Sequence, residues 1–136
     1  MKSVPFAVLA AALMLFAAER EATADTWVQV TGGTFVLSQE TLTHIQATLP
    51  SEVAAAAKTQ RVPLPPWQEY LVQYRATEVK GLRAVEIHGS CRADPGFDIR
   101  SSFLEEEVSD GGPCYFFVLY VIKTGHYSNV VFHGYA

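Results

Sequence analysis

Residues 114–123 read C-Y-F-F-V-L-Y-V-I-K, and their reading decides the fold. Aromatic and β-branched residues dominate, which favours a strand. Phe116 and Val118 fall with Cys114 on one side, and Tyr115, Phe117 and Leu119 fall on the other. A strand that is apolar on both sides belongs in the middle of a sheet. Downstream, Thr124-Gly125 turns the chain and residues 126–135 form a last strand. Upstream, residues 82–91 (L-R-A-V-E-I-H-G-S-C) alternate, with Val85, Ile87, Gly89 and Cys91 on one face. The turn at residues 78–81 joins them to another strand, residues 67–77 (W-Q-E-Y-L-V-Q-Y-R-A-T). Between the two hairpins lies a long polar loop, residues 92–113, ending in Asp110-Gly111-Gly112-Pro113.

Further out, Pro63, Pro65 and Pro66 force an extended linker. Before it, Ser38 has the chemistry of an N-cap, with Glu40 in the first turn. Leu42, Ile45 and Leu49 follow at helical spacing. Pro50 ends or kinks that helix, and V-A-A-A-A-K over 53–58 is strongly helix-forming. One kinked helix or two helices are therefore expected over about 38–59. Residues 25–30 (D-T-W-V-Q-V) make a short strand before the Gly32-Gly33 turn. The expected fold is α+β: this helical unit packed on a curved four-stranded antiparallel sheet.

Cys91 and Cys114 are the only cysteines in the chain. Cys91 ends one strand and Cys114 begins the next, so antiparallel pairing sets them side by side. A disulfide is expected, closing 24 residues counted with both ends.

The N-terminus points to export. Lys2 precedes 15 residues, 4–18, without a charge, and Ala22-Thr23-Ala24 supplies a small-x-small cleavage pattern. Residues 1–24 are read as a signal peptide and 25–136 as a single domain, with cleavage after Ala24. Glu19-Arg20-Glu21 is an unusual charge cluster for that region, and an uncleaved anchor is the alternative. Fifteen apolar residues fall short of the ~20 that span a bilayer, so no stable membrane span is expected after cleavage. The chain has 136 residues, 10 basic and 14 acidic, for a net charge of −4. No basic stripe is present to neutralise phosphates, which argues against a nucleic-acid partner.

Little catalytic chemistry is legible. Glu86 and His88 share a strand face and can form a base-and-orienter pair or half a metal site, against a solvent-facing alternative. No nucleophile or third ligand accompanies them. Glu105-Glu106-Glu107, with Asp98 and Asp110, lacks the alternation of a calcium loop and reads as solvated. No cofactor and no metal are expected. The better lead is the row Tyr115, Phe117 and Leu119, which needs a cover. Phe97, Phe103 and Leu104 of the long loop are one candidate cover, and a partner is the other. Tyr115, Phe117 and His88 are the expected binding residues. His133 joins them only if the last strand keeps its register, since a slip of one places Phe132 there instead.

Residues 110–136, with D-G-G-P-C-Y-F at their start and H-G-Y-A at their end, resemble a group of small exported proteobacterial proteins. Those share an Asp-Gly-Gly-x-Cys-Tyr-Phe strand and a closing Asn-Gly-x-Ala, from which this chain departs at His133. Val72-Gln73-Tyr74-Arg75 and the strand ending in Cys91 are similar too. The resemblance implies export, a disulfide and this fold, and no particular activity. The order of helix and strands is also similar to the cystatins, as are Gly32-Gly33 and Pro66-Trp67. Gln73-Tyr74-Arg75-Ala76-Thr77 does not fit their inhibitory Gln-x-Val-x-Gly, so that likeness is one of shape. The expectation is an exported, non-enzymatic binding module for an envelope or extracellular protein or a small ligand. The alternative is a small enzyme with a cone-shaped sheet pocket, using Glu86 and His88.

Overall fold

The computed structural model describes residues 27–91, 97–104 and 112–133. The expected signal segment, the acidic run Glu105–Glu107 and Asp110 lie outside the described residues. Strand β1 spans Trp27–Gln29, helix α1 Gln39–Gln60, β2 Leu71–Val79, β3 Leu82–Ser90, β4 Tyr115–Val121, β5 His126–Tyr127 and β6 Val131–Phe132. The sheet order is β1-β2-β3-β4-β5, with β6 also paired to β4. The protein is thus α+β, with one helix, among the described residues, on a mixed sheet.

The helix begins where Ser38 predicts. The Ser38 hydroxyl accepts from the Thr41 N–H at 3.1 Å, satisfying one of the orphan donors of the first turn. Ile45, Leu49, Val53 and Ala57, four residues apart, are all buried. That stripe continues across Pro50, so the chain forms a single helix of 22 residues. Proline removes one backbone bond, but the buried stripe packs on both sides of it and the helix continues. Arg61 closes the helix in the left-handed region, at φ 57°. Its neighbour's N–H, at Val62, reaches the Ala57 carbonyl at 2.9 Å.

β2 and β3 form a hairpin through Lys80 and Gly81, both at positive φ (52° and 78°). Positive φ at both central residues matches the right-handed twist of the flanking strands. β3 and β4 pair antiparallel from Ala84↔Val121 to Ser90↔Tyr115. Immediately beyond, Cys91 and Cys114 are disulfide-bonded with 4.9 Å between their Cα atoms. A disulfide fits an extracytoplasmic setting. Among the described residues no helix is long and apolar enough to cross a membrane.

The four-stranded, wholly antiparallel sheet expected above needs correction. β1 pairs parallel to β2, from Trp27↔Val72 to Gln29↔Tyr74, and adds an edge strand. The chain can return in parallel because α1 supplies the crossover between them. The last strand is also broken into β5 and β6. Residues 67–69, read as the start of a strand, instead form a 3-10 turn after Pro66.

The helix side of the sheet is the core. Val72, Tyr74, Val85, Ile87, Phe116, Val118, Tyr120 and Phe132 meet the buried stripe of α1 there. Gly89 is opposite Phe116, and a Cβ on it would lie 1.9 Å from the Phe116 ring. The missing side chain is what lets that ring pack directly against the β3 backbone. Trp67, Tyr70 and Phe132 surround the same ring, with centroids 6.0, 5.2 and 6.5 Å away. The Tyr70 hydroxyl donates to the Pro113 carbonyl, tying this aromatic cluster to the disulfide end.

Candidate functional site

The other face of the sheet collects the side chains singled out from the sequence. Its rows follow from the register: Gln73↔His88↔Phe117↔Val131, then Arg75↔Glu86↔Leu119, then Thr77↔Ala84↔Val121. Val28 of β1 stands beside Gln73. The face divides into a covered part and a bare part.

Residues 97–104 cover the end nearest the disulfide. Gln73, fully buried, is the centre of that contact. Its amide NH2 donates to the carbonyls of Ile99 and Ser102 at 2.8 and 2.9 Å. Its carbonyl oxygen accepts from the Leu104 N–H at 2.9 Å. Thr31 adds a backbone bond to the Arg100 carbonyl at 2.8 Å. A loop laid on a sheet carries unpaired backbone groups, and Gln73 satisfies three of them with one side chain. Phe103, 1% exposed, then stacks on His88 at 3.7 Å between centroids. The Arg75 guanidinium sits 4.9 Å from the centre of the Phe103 ring. Arg75 also donates to Glu86 at 2.8 Å across the β2–β3 ladder. That pair is partly exposed and is worth on the order of 0.2–1 kcal/mol. Within the loop, the Arg100 N–H and the Ser101 hydroxyl near Asp98 hold its carboxyl below the ordinary carboxylate range.

His88 is therefore buried beneath Phe103, and Tyr115 is buried as well. Phe117 is half-buried, 4.9 Å from the His88 ring. His133 is half-buried, and its N–H bonds the Tyr115 carbonyl at 3.1 Å. Phe132 is in the helix-side core, so the register places His133, not Phe132, towards the open side. Phe103 and Leu104 are buried as covers and Phe97 is half-buried. Ser90, fully buried, has a hydroxyl with no hydrogen-bond partner among the described residues.

The bare part lies on β4 and the edge. Phe117, Leu119 and Val121 are half-exposed at period two, and Val131, opposite Phe117, is 48% exposed. Leu82, at the β3 end of the same face, is 43% exposed. Sequence reading missed Gln73 as the loop's anchor. In V-Q-Y-R-A-T it alternates with Arg75 and Thr77, the ordinary signature of a solvent-facing position, and nothing local distinguishes it.

Three shallow clefts, of about 400, 340 and 310 Å³, lie on or beside α1. None is lined by Glu86 or His88. Among the described residues, no three His, Cys, Asp or Glu side chains come together as a metal site. No family model, no curated protein and no solved structure matches this chain.

Proposed function

We propose that the protein is an exported, non-enzymatic binding module that engages an envelope or extracellular partner through the bare part of its open sheet face. One observation carries this reading. Phe117, Leu119, Val121 and Val131 form a contiguous apolar strip beside a region that the chain's own loop already covers. The uncovered face of an antiparallel sheet is ordinarily polar, and an apolar strip with a polar rim is the composition of an interface centre. Arg75 and Glu86, paired across β2 and β3 beside Leu119, supply that rim. The signal-like residues 1–24 and the disulfide support export. The cystatin likeness adds a shape, a helix across a sheet, and no activity. Glu86 is engaged by Arg75, and the His88 ring lies between Phe103 and Phe117. Both arrangements favour packing over proton transfer.

The test is affinity capture from the native envelope with the wild type and with Leu119→Asp. A partner enriched by the wild type and lost with the variant, at equal thermal stability, is the expected result. Equal enrichment by both proteins overturns the assignment of this surface.

A further inference from the structure

The helix side of the outer edge carries a second, separate groove. α1 runs beside residues 125–130 and is clasped to them twice. The hydroxyls of Thr48 and Tyr127 meet at 2.6 Å, and the Gln60 amide donates to the Val130 carbonyl at 2.9 Å. The clasps stand roughly 18 Å apart along the helix, at 1.5 Å per residue. Between them opens the cleft of about 400 Å³, lined by Glu52 and Ala55 on the helix and by Tyr127, Ser128 and Asn129 on the edge. The cleft of about 340 Å³ continues it past Thr48 towards His44 and His126. Glu52 lines all three clefts, and Tyr127 lines these two.

One wall of this groove is a sheet edge. Ser128 N–H bonds the Leu119 carbonyl at 2.8 Å, so Ser128 faces β4. Residues alternate in an antiparallel ladder, so Tyr127 turns its N–H and C=O outward. Residues 126–133 (H-Y-S-N-V-V-F-H) contain no Lys, Arg, Asp, Glu or Pro, the residues that commonly guard an edge. The break between β5 and β6 limits pairing to the stretch around Tyr127. The other wall presents a single carboxylate. Glu52 is exposed, and the ion pair among the described residues is Arg75–Glu86, on the opposite face.

We propose that this groove docks an extended peptide segment, added as a strand beside Tyr127, with a Lys or Arg side chain placed against Glu52. A helix lying along an open edge is the geometry of strand addition, in which main-chain bonds supply affinity and flanking side chains supply selectivity. Charge selects the occupant. A basic side chain gives Glu52 a partner, an acidic one is repelled, and the polar lining offers little to an apolar one. The site lies on the other side of the sheet from the apolar strip and stands independently of it.

The probes are seven-residue, end-capped peptides of alternating Thr and Val with Lys or Glu at the centre, titrated into the disulfide-bonded protein and followed by amide NMR shifts. The Lys peptide is expected to shift Glu52, Tyr127 and Ser128 and to bind about tenfold more tightly than the Glu peptide, the scale of an exposed pair exchanged for a repulsion. Glu52→Gln weakens the Lys peptide about threefold and nearly equalises the two. Methylating alternate backbone nitrogens of the Lys peptide abolishes binding without altering the protein. The proposal is overturned if no peptide binds, if Lys and Glu peptides bind equally, if methylation has no effect, or if shifts are confined to Phe117 and Leu119. Shifts at Glu52 and Tyr127 report this groove and shifts at Phe117 and Leu119 report the strip, so a failure here is distinguishable from a failure of the apolar strip.

Discussion

The two faces of the sheet are covered by different physics. On one face α1 brings a backbone whose hydrogen bonds are already made, so covering it needs only matched apolar shapes. Ile45, Leu49, Val53 and Ala57 supply them, and Gly89 makes room for the Phe116 ring. On the other face residues 97–104 bring backbone carbonyls and N–H groups against the sheet. There the sheet must offer polar groups, and Gln73 does so with three hydrogen bonds. A helix is bound by area, which is non-directional. A loop is bound by a few directed bonds, each costly to leave unmade.

The disulfide sits where the two faces meet, and removing it should have the largest effect. Cys91→Ser with Cys114→Ser frees a loop of 24 residues. Chain entropy then predicts a loss of ~3–3.5 kcal/mol and a melting temperature lower by ~10 °C or more. An unchanged melting curve would mean that the two covers hold the loop without the covalent link. Gly89→Ala strikes the helix face alone. Its Cβ would fall 1.9 Å from Phe116, and overpacking of that kind costs ~2–3 kcal/mol in denaturant unfolding. A smaller change would show that the aromatic cluster can slide.

Gln73→Leu strikes the loop face alone. It leaves the Leu104 N–H and two carbonyls without their partner, for a loss of about 2 kcal/mol. Hydrogen exchange is the sharper readout: the Leu104 amide should lose protection while the amides of α1 keep theirs. Equal loss on both faces would break the comparison, because the two covers would then be one cooperative unit.

Alkaline pH should act on the helix face. Burial pushes the Tyr70 and Tyr127 hydroxyls from near 10 up to about 12, with the Thr48 hydrogen bond opposing the rise at Tyr127. Their raised folded values mean that the unfolded chain ionises first. Stability is therefore intact below pH 10 and declines between about pH 10 and 12. Denaturant midpoints through that range, read with phenolate absorbance, check it. A denaturant midpoint that stays constant from pH 10 to 12 would contradict the burial. The smallest effect is expected at Ser90→Ala. Removing a buried hydroxyl that has no partner among the described residues should change stability by less than ~1 kcal/mol, in the stabilising direction.

Much of this architecture was legible locally. The Ser38 cap, the Lys80-Gly81 turn and the two-sided apolar strand β4 depend on near neighbours, and each lies where its residues indicate. The candidate site was legible only in part. Tyr115, Phe117 and His88 share the open face as period two requires. Whether each is covered depends on a loop that approaches from elsewhere in the chain. Phe103 and Leu104 could be named as a possible cover, but their docking rests on Gln73, whose alternation reads as exposed.

The sequence by itself determined the α+β class, the cysteine pair and the place of β4, because composition, period and capping are local properties of the chain. Tertiary structure alone decided three things. α1 passes through Pro50 unbroken because its buried stripe packs on both sides of the proline. β1 joins parallel to β2 because the helix that follows it supplies the crossover. Gln73 is buried because a distant segment brings backbone groups that need it. In each case the deciding free energy comes from contacts between residues far apart in sequence, and no local pattern carries that information.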